Sequence, residues 1–220
     1  MTIDLYCFDP SPPCWTVRIL AKQLGIRLNL HEINVLKGDQ FKDHFMKLNP
    51  KHTIPTIDDN GFVVWESRAI LIYLAMKYAK NDSLYPTDLE KRAIVEQRIN
   101  FDLGYLNECV ANYIYPVIMG SPAPPEECLA PLDEAFQTLD GLLQDSDFVA
   151  GDDITVADYG LMSTVCSAKA GDYNIDQYEN VSAWYDRCKE VMEKYGFEEI
   201  AGAGMKMFNG VYKSNLQVDE

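Results

Sequence analysis

The feature that most constrains the fold is a change of pattern close to residue 81. Before it, short runs typical of strands alternate with runs of helical spacing, in the order βαβαββα. Beyond it the strand pattern disappears, and apolar residues recur only at helical spacing. A turn-rich segment separates the two patterns. We therefore predict an α/β domain in residues 1–80, a linker in residues 81–87 and an all-helical domain in residues 88–220.

The order βαβαββα is the arrangement of a thioredoxin-like domain, in which helices flank a mixed four-stranded sheet. Pro12 and Pro13 open the first amphipathic helix, and Gly25 ends it. A hairpin is expected around Asn60-Gly61, because this dipeptide favours the tight turns that join antiparallel strands. The strands are predicted over residues 3–8, 28–34, 56–58 and 62–65, and the helices over residues 12–24, 41–48 and 66–80.

The second domain begins with a long run of helical spacing over residues 89–118. We expect a bend near Pro116, because proline removes a backbone hydrogen bond inside a helix. Thr155 and Asp158 have the spacing of a capping box, with aspartate in place of the usual glutamate or glutamine. Further helices are predicted over residues 129–143, from Thr155 and from about Tyr178.

The charge of the chain limits the classes of partner. The 220 residues carry a formal net charge of −15, and a surface this acidic repels phosphate backbones and anionic lipids. We therefore expect neither a nucleic acid nor a membrane partner. The apolar runs are too short to span a bilayer, and the N-terminal residues do not form the basic and apolar regions of a secretory signal.

The cysteines indicate a reducing compartment. Six cysteines are scattered along the chain without a CxxC pair. Disulfide frameworks are typical of small secreted proteins, and this chain has neither the size nor the signal of one. We therefore expect mostly buried free thiols, no metal and a cytoplasmic location.

The segment Ser11-Pro12-Pro13-Cys14 lies where the first strand passes into the first helix. In a thioredoxin-like domain this loop usually presents a reactive cysteine pair, and here serine stands at the first cysteine position. Without a nearby base Ser11 is a poor nucleophile, but at a helix N-terminus it is a good hydrogen-bond donor to a bound thiolate. Two alternatives stay open: Ser11 serves only as an N-cap, or Cys14 is a reactive thiol rather than a buried packing residue.

Two further segments describe a site for an extended peptide ligand. In His52-Thr53-Ile54-Pro55-Thr56, a cis proline would turn the backbone groups of Ile54 outward, whereas a trans proline would only limit the strand. His52 is a donor to a ligand carboxylate or a plain surface histidine. In Glu66-Ser67-Arg68, free N–H groups and a hydroxyl at a helix N-terminus suit a carboxylate, and Glu66 suits an ammonium group. Ordinary helix capping is the alternative there.

These segments together resemble the glutathione transferase family, most closely its insect delta and epsilon classes. The resemblance rests on residues 11–14, 49–56, 65–70 and the capping segment 155–158, which occur in the family's order along nearly the whole chain. It implies an enzyme that conjugates the thiolate of reduced glutathione, its co-substrate, to small hydrophobic electrophiles. It also implies a role in detoxification and a homodimer.

The resemblance assigns residues to both substrates. Ser11 would hydrogen-bond the glutathione thiolate. The other glutathione-binding residues would be Gln40, His52, Thr53, Ile54, Pro55, Glu66, Ser67, Arg68 and Asp102. The hydrophobic substrate would contact Pro13, Tyr105, Val110, Tyr113, Met119 and Phe208. Two positions depart from the family pattern: Trp15 stands where relatives often have arginine, and Gln40 where they often have histidine.

Three alternatives to conjugation stay open at the level of sequence. A protein with this fold can carry hydrophobic ligands without catalysis. The same site can also support glutathione-dependent isomerisation, peroxide reduction or dehydrochlorination. A thiol transferase that uses Cys14 is the third alternative.

Overall fold

The computed structural model describes residues 2–216, and the thioredoxin-like sheet predicted from the sequence is confirmed. Four strands form one mixed sheet in the order β2-β1-β3-β4. β1 pairs with β2 in parallel and with β3 in antiparallel orientation, and β3 pairs with β4 through the expected hairpin. The strands are β1 (Thr2–Cys7), β2 (Arg27–Glu32), β3 (Thr56–Asp59) and β4 (Phe62–Trp65).

Three helices of the first domain accompany this sheet. Proline occupies the first positions of α1, as the sequence indicated, and Gly25 follows the helix with a φ of 69°. Glycine adopts this left-handed conformation easily, so the chain turns there into β2. The helices are α1 (Pro12–Gln23), α2 (Asp43–Leu48) and α3 (Ser67–Tyr78), and short 3₁₀ turns precede α2 at Val35–Lys37 and Asp39–Phe41.

The regular elements that the structure describes after residue 88 are helical, as predicted. They are α4 (Leu89–Phe101), α5 (Asn107–Ile118), α6 (Leu129–Leu142), α7 (Val156–Ala170), α8 (Glu179–Glu193) and α9 (Ala203–Asn215). α7 lies at the centre: it packs against α1 and α3 of the first domain and against α4, α5, α8 and α9 of the second. No helix between residues 2 and 216 combines the length and the apolar character that crossing a bilayer requires.

The long helical run near whose Pro116 we expected a bend also contains an irregular turn that the sequence did not indicate. Pro116 remains inside α5, which continues to Ile118. The irregular turn is a π-helical segment at Asp102–Leu106, between α4 and α5. A π turn holds one extra residue, and such turns are frequent at functional sites. This one begins at Asp102, whose side chain is held by contacts described below.

The capping box at the start of α7 forms as predicted. The Thr155 hydroxyl accepts from the Ala157 N–H at 3.3 Å, and Asp158 Oδ2 accepts from the Thr155 N–H at 2.8 Å. The fully buried Asp158 carboxylate also accepts from the Val149 N–H and from Trp184 Nε1, both at 2.9 Å. Burial raises the pKa of Asp158, although these hydrogen bonds act in the opposite direction. One carboxylate therefore ties the preceding loop and α8 to the start of the central helix.

Asp158→Ala is expected to lower the free energy of unfolding by at least about 3 kcal/mol, because each buried donor left without an acceptor costs roughly 1–3 kcal/mol. Urea unfolding followed by circular dichroism measures the change. Asp153→Ala at an exposed position of the same loop is the control, and it should leave the unfolding midpoint nearly unchanged. Equal effects of the two substitutions would contradict the assigned role of Asp158.

Candidate active site

The strand register assembles the candidate site at one end of the sheet. Tyr6 of β1 and Trp65 of β4 both pair with Thr56, the first residue of β3. The residues that follow β1, precede β3 and follow β4 must therefore lie side by side at this end. These are the three segments that the sequence analysis selected, and the hairpin around Asn60-Gly61 sets the register that joins two of them.

Ser11 occupies the N-cap position of α1 with an extended backbone, and its side chain makes no capping hydrogen bond. Its backbone groups are engaged instead: the Ser11 N–H donates to the Phe8 carbonyl and its carbonyl accepts from the Cys14 N–H, both at 2.9 Å. The half-buried side chain lines a cavity. The hydroxyl is thus placed at a helix N-terminus without being used to cap it.

Cys14 lies in the first turn of α1 and is fully buried. Burial raises the pKa of the Cys14 thiol to about 11, although hydrogen bonds from the Ser11 side chain and the Phe8 backbone lower it. A reactive cysteine needs a depressed pKa and access to solvent. The arrangement favours packing over reactivity, which removes the structural basis for a thiol transferase that uses Cys14.

A cavity of about 290 Å³ opens beside Ser11, between the first domain and the last helix. Its wall is mainly apolar, and its volume suits a small organic molecule. The polar lining residues are Ser11, Gln40, His52 and Thr53. The apolar lining residues are Phe8, Pro10, Pro12, Pro13, Val35, Leu36, Ile54, Tyr115, Ile118, Phe208 and Val211.

Gln40 and His52 form the polar edge of this cavity. Oε1 of Gln40 is buried and has no hydrogen-bond partner among the described residues. Since the oxygen and nitrogen of an amide are interchangeable by a flip, this group can present either an acceptor or a donor to a ligand. His52 is exposed, has a φ of 50°, and packs against the Phe41 ring with centroids 5.0 Å apart. Both side chains are therefore positioned for a polar ligand at the rim.

The loop before β3 is held by Asn49, a residue that the sequence analysis did not select as functional. Asn49 is fully buried, and its Nδ2 donates to the Thr53 carbonyl at 2.9 Å and to Thr56 Oγ1 at 3.0 Å. Its Oδ1 accepts from the Lys51 N–H at 2.9 Å. The sequence signal was the Asn49-Pro50 dipeptide, a turn initiator. Asn49 fixes the path of the loop that presents the backbone of Ile54.

The Ile54–Pro55 peptide bond is cis. Of the two alternatives, this is the one expected to turn the backbone groups of Ile54 outward. Pro55 is buried, and Ile54 lines the cavity. The ladder between β1 and β3 begins only at Thr56. The N–H and C=O of Ile54 therefore lie outside the sheet ladder, next to the cavity.

Glu66 and Ser67 lie at the start of α3, on the other side of Pro55. Glu66 is exposed and has a φ of 72° and a ψ of 112°, which is rare for a residue other than glycine. Such backbone costs roughly 1–3 kcal/mol and clusters at functional sites. Ser67 is buried, and its hydroxyl accepts from Arg68 Nη1 at 2.9 Å. Its orientation is thus fixed by its neighbour.

Arg68 and Asp102, assigned from the resemblance as ligand-binding residues, are instead buried against each other. Their side chains are 7% and 0% exposed, and Arg68 Nε donates to Asp102 Oδ2 at 2.8 Å. Arg68 Nη2 also donates to Thr164 Oγ1 at 2.8 Å and to the Gly160 carbonyl at 3.1 Å, and Thr164 donates to Asp102 Oδ1 at 2.6 Å. The Asp102 carboxylate and most of the guanidinium donors of Arg68 are thus already engaged within the protein. Arg68 is connected to the start of α3 through its bond to Ser67.

Of the residues expected to contact a hydrophobic substrate, Pro13 and Phe208 line the cavity. The other four lie outside its lining. Val110 is buried in the core and Met119 is 81% exposed. Tyr105 packs against Phe101, and Tyr113 against Tyr173.

The face of α5 toward the cavity is formed by Tyr115 and Ile118, which are three residues apart. Val110 and Tyr113 are also three apart, but they lie on a neighbouring face of the same helix. Because apolar residues cover both faces, the sequence alone did not show which face lines the cavity. The Tyr115 ring meets Phe208 edge to face, with centroids 6.2 Å apart. α5 and α9 thus form one apolar wall opposite Ser11.

Residues 2–216 contain no group of three or more histidine, cysteine, aspartate or glutamate side chains arranged to hold a metal ion.

Comparison with known proteins agrees with this geometry. Residues 10–77 match the glutathione S-transferase N-terminal domain, and residues 107–190 match the C-terminal domain. The chain belongs to the glutathione S-transferase family.

Individual relatives extend over the whole chain. Glutathione S-transferase D7 of Anopheles gambiae is 41% identical over 217 residues, which cover 99% of this chain and 100% of that protein. A delta-class glutathione transferase of Nilaparvata lugens is 41% identical, with a TM-score of 0.91 over 97% of this chain and 99% of that one. A glutathione transferase homologue of Drosophila mojavensis, solved with bound glutathione, is 30% identical, with a TM-score of 0.88 over 98% of both chains.

Asp102→Ala is expected to lower the free energy of unfolding by about 3–5 kcal/mol, because it leaves the charge of Arg68 buried without a partner. Chemical unfolding measures the loss. Glu199→Ala is the matched control, since it breaks the exposed Lys22–Glu199 ion pair of 2.8 Å between α1 and the C-terminal segment. The control should shift the unfolding midpoint little, because exposed pairs contribute little. An Asp102 variant as stable as the control would contradict the structural role of the buried pair.

Proposed function

We propose that this glutathione transferase conjugates the thiolate of reduced glutathione to small hydrophobic electrophiles in detoxification, with Ser11 stabilising the thiolate. The observation that carries the proposal is the position of the Ser11 hydroxyl. It lies at the N-terminus of α1, makes no capping bond and lines an apolar cavity. A group that enters the cavity therefore finds the Ser11 hydroxyl as a donor at the positive end of the helix.

The thiolate is stabilised by two effects. A free thiol has a pKa of about 8.5, and each unit of depression requires about 1.4 kcal/mol of preference for the anion. A hydrogen bond from Ser11 and the positive end of α1 together supply roughly one to two units. The sulfur then forms a bond to the electrophilic carbon, the leaving group departs with the electron pair of its bond, and the thiol proton passes to solvent.

The peptide part of glutathione fits the polar strip beside the cavity. The backbone of Ile54 pairs with the cysteinyl residue, as a strand pairs with its neighbour. The start of α3 receives the γ-glutamyl carboxylate, with Ser67 held in place by Arg68. Gln40 and His52 meet the glycyl carboxylate: with the Gln40 amide flipped, Nε2 takes the buried position of Oε1 and donates to the carboxylate. Arg68 and Asp102 position this site without touching the ligand.

The electrophile occupies the apolar part of the cavity between Pro13, Tyr115 and Phe208. An apolar wall excludes water from the thiolate and holds the two reactants together, which lowers the entropic part of the barrier. The wall offers few directional polar groups, so shape rather than hydrogen bonding selects the electrophile.

Ser11→Ala tests the assigned role. Loss of one hydrogen bond to an anion costs about 1.5–3 kcal/mol, so kcat with 1-chloro-2,4-dinitrobenzene should fall roughly 10- to 100-fold. Titration should show glutathione binding largely retained, because the peptide contacts remain. Cys14→Ser is the control and should keep turnover.

Unchanged turnover in Ser11→Ala would contradict the proposal. A wild-type protein that binds glutathione and a hydrophobic dye, yet conjugates no electrophile, would indicate a carrier instead.

The exposed apolar side chains support the proposed homodimer. β4 is an edge strand, and Phe62 and Trp65 on it are 55% and 38% exposed. Met76 of α3 and Ile94 of α4 are 64% and 39% exposed. An exposed edge strand with apolar side chains, and exposed apolar residues on neighbouring helices, are features that association of two chains would cover. The six unpaired cysteines also support a reducing, cytoplasmic location.

Light scattering coupled to size exclusion tests the dimer. The wild type should have twice the 25.0 kDa mass of one chain. Phe62→Glu should shift the mass toward one chain, because a buried unpaired charge opposes association. Met119→Glu, at an exposed residue that follows α5, should leave the dimer intact. A monomeric wild type would contradict the assembly, and an intact Phe62→Glu dimer would contradict the assigned surface.

A further inference from the structure

Trp15, one of the two departures from the family pattern, lies between the Ser11 loop and the last helix. It is among the largest fully buried side chains. Its indole nitrogen donates to the carbonyl of Asp9, in the loop between β1 and α1. Its ring also faces Gly204 of α9. One side chain therefore contacts both the loop that leads to Ser11 and the helix that closes the cavity.

Gly204 allows α9 to approach this loop closely. A Cβ atom at this position would lie 2.5 Å from the Asp9 carbonyl oxygen and 2.5 Å from Trp15 Nε1. Non-bonded heavy atoms separate by about 3.5–4.0 Å at their optimum. The obstructing atoms belong to the backbone and to a buried ring, so they cannot swing aside as the end of a flexible side chain does. Any larger residue at Gly204 must move α9 or the loop.

The contact point and the cavity wall lie on the same face of α9. Gly204, Phe208 and Val211 are separated by four and three residues, which is the spacing of one helical stripe. Phe208 and Val211 line the cavity. Since a helix rises about 1.5 Å per residue, Phe208 lies only about 6 Å along the axis from Gly204. A displacement at Gly204 is therefore carried directly to the cavity wall.

The other attachments of α9 lie farther along the helix. Asn209 Nδ2 donates to the Ala170 carbonyl at 2.9 Å, and Asn215 Nδ2 donates to the Val117 carbonyl at 2.8 Å. These bonds hold the middle and the end of α9 against α7 and α5. The segment just before α9 is joined to α1 by the exposed Lys22–Glu199 ion pair. Within the first turn of α9, the contact between Gly204 and Trp15 limits how closely the helix approaches the Ser11 loop.

We infer that Trp15 and Gly204 act together as a spacer that sets the distance between α9 and Ser11, and with it the size of the electrophile pocket. Both are positioning residues that act on the electrophile through Phe208 and Val211. The inference rests on the proposed function. The proposed glutathione contacts lie on the first domain rather than on α9, so the spacer affects the electrophile and leaves glutathione binding unchanged.

Gly204→Ala tests the spacer, with Gly210→Ala as a matched control on the same helix, because a Cβ atom at Gly210 meets nothing within 4 Å. In conjugation of glutathione to 1-chloro-2,4-dinitrobenzene, overpacking in Gly204→Ala should raise the KM for the electrophile at least about fivefold. In Gly204→Ala the KM for glutathione should stay within about twofold of the wild-type value. In Gly210→Ala the KM for the electrophile and the KM for glutathione should both stay within about twofold of the wild-type values. Equal electrophile KM values in the two variants, or a rise confined to glutathione, would overturn the inference.

A double variant keeps the test decisive if Gly204→Ala does not fold. Trp15→Phe removes the indole nitrogen and the outer ring carbon that the new Cβ atom would meet. It also releases the Asp9 carbonyl from its hydrogen bond to the indole, so this carbonyl, which the Cβ atom would still meet, is free to shift with its loop. We expect Trp15→Phe/Gly204→Ala to fold and to show an electrophile KM close to that of Trp15→Phe alone. A double variant as defective as Gly204→Ala would show that Trp15 is not the constraint, and the inference would fail.

Dye binding separates failure of the spacer from failure of the proposed function. A wild-type protein that binds glutathione but conjugates no electrophile would refute the proposed function, and the cavity would still be measurable with 8-anilinonaphthalene-1-sulfonate. The spacer then predicts weaker dye binding by Gly204→Ala than by the wild type or Gly210→Ala. Equal dissociation constants for the three proteins would refute the spacer alone.

Discussion

The buried ion pair between Arg68 and Asp102 is the interaction on which the two-domain structure depends. Arg68 belongs to the first turn of α3 and Asp102 to the π turn before α5, so one pair joins both domains. Thr164 and the Gly160 carbonyl of α7 complete the hydrogen bonding of the guanidinium. A buried ion pair adds little net stability, but it specifies which groups must meet. Here it fixes the start of α3, and with it Ser67, relative to the helical domain.

The part of the site at the end of the sheet could be predicted from the sequence, because each of its elements is recognisable from residues that are neighbours in the chain. Ser11 was recognisable from the prolines that begin α1, and the hairpin register placed Glu66 beside the Ile54–Pro55 bond. The buried ion pair could not be predicted from the sequence. It joins residues 34 positions apart, and no periodic pattern indicates that two such distant residues are partners. The sequence also did not predict which face of α5 lines the cavity. Its neighbouring faces are both apolar, and the choice between them depends on how α5 packs against α6, α7 and α9.

The proposed sites of the two substrates draw on different parts of the fold. The segments proposed to contact the peptide are held by the sheet ladder and by buried side chains such as Asn49. The apolar wall proposed to receive the electrophile is formed by α5 and α9. In this proposal, recognition of the common co-substrate is separated in the chain from recognition of the variable one.

Two asparagines attach the last helix to main-chain carbonyls, which are groups that every amino acid supplies. Asn209 and Asn215 donate to the main-chain carbonyls of Ala170 and Val117, not to side chains of α7 and α5. Substitution of either acceptor residue leaves its carbonyl in place, so these bonds tolerate drift in the surrounding sequence. The same attachment can thus persist while the side chains around the pocket diversify. Such a fold can acquire new electrophile preferences through point substitutions without a new way of docking the helix.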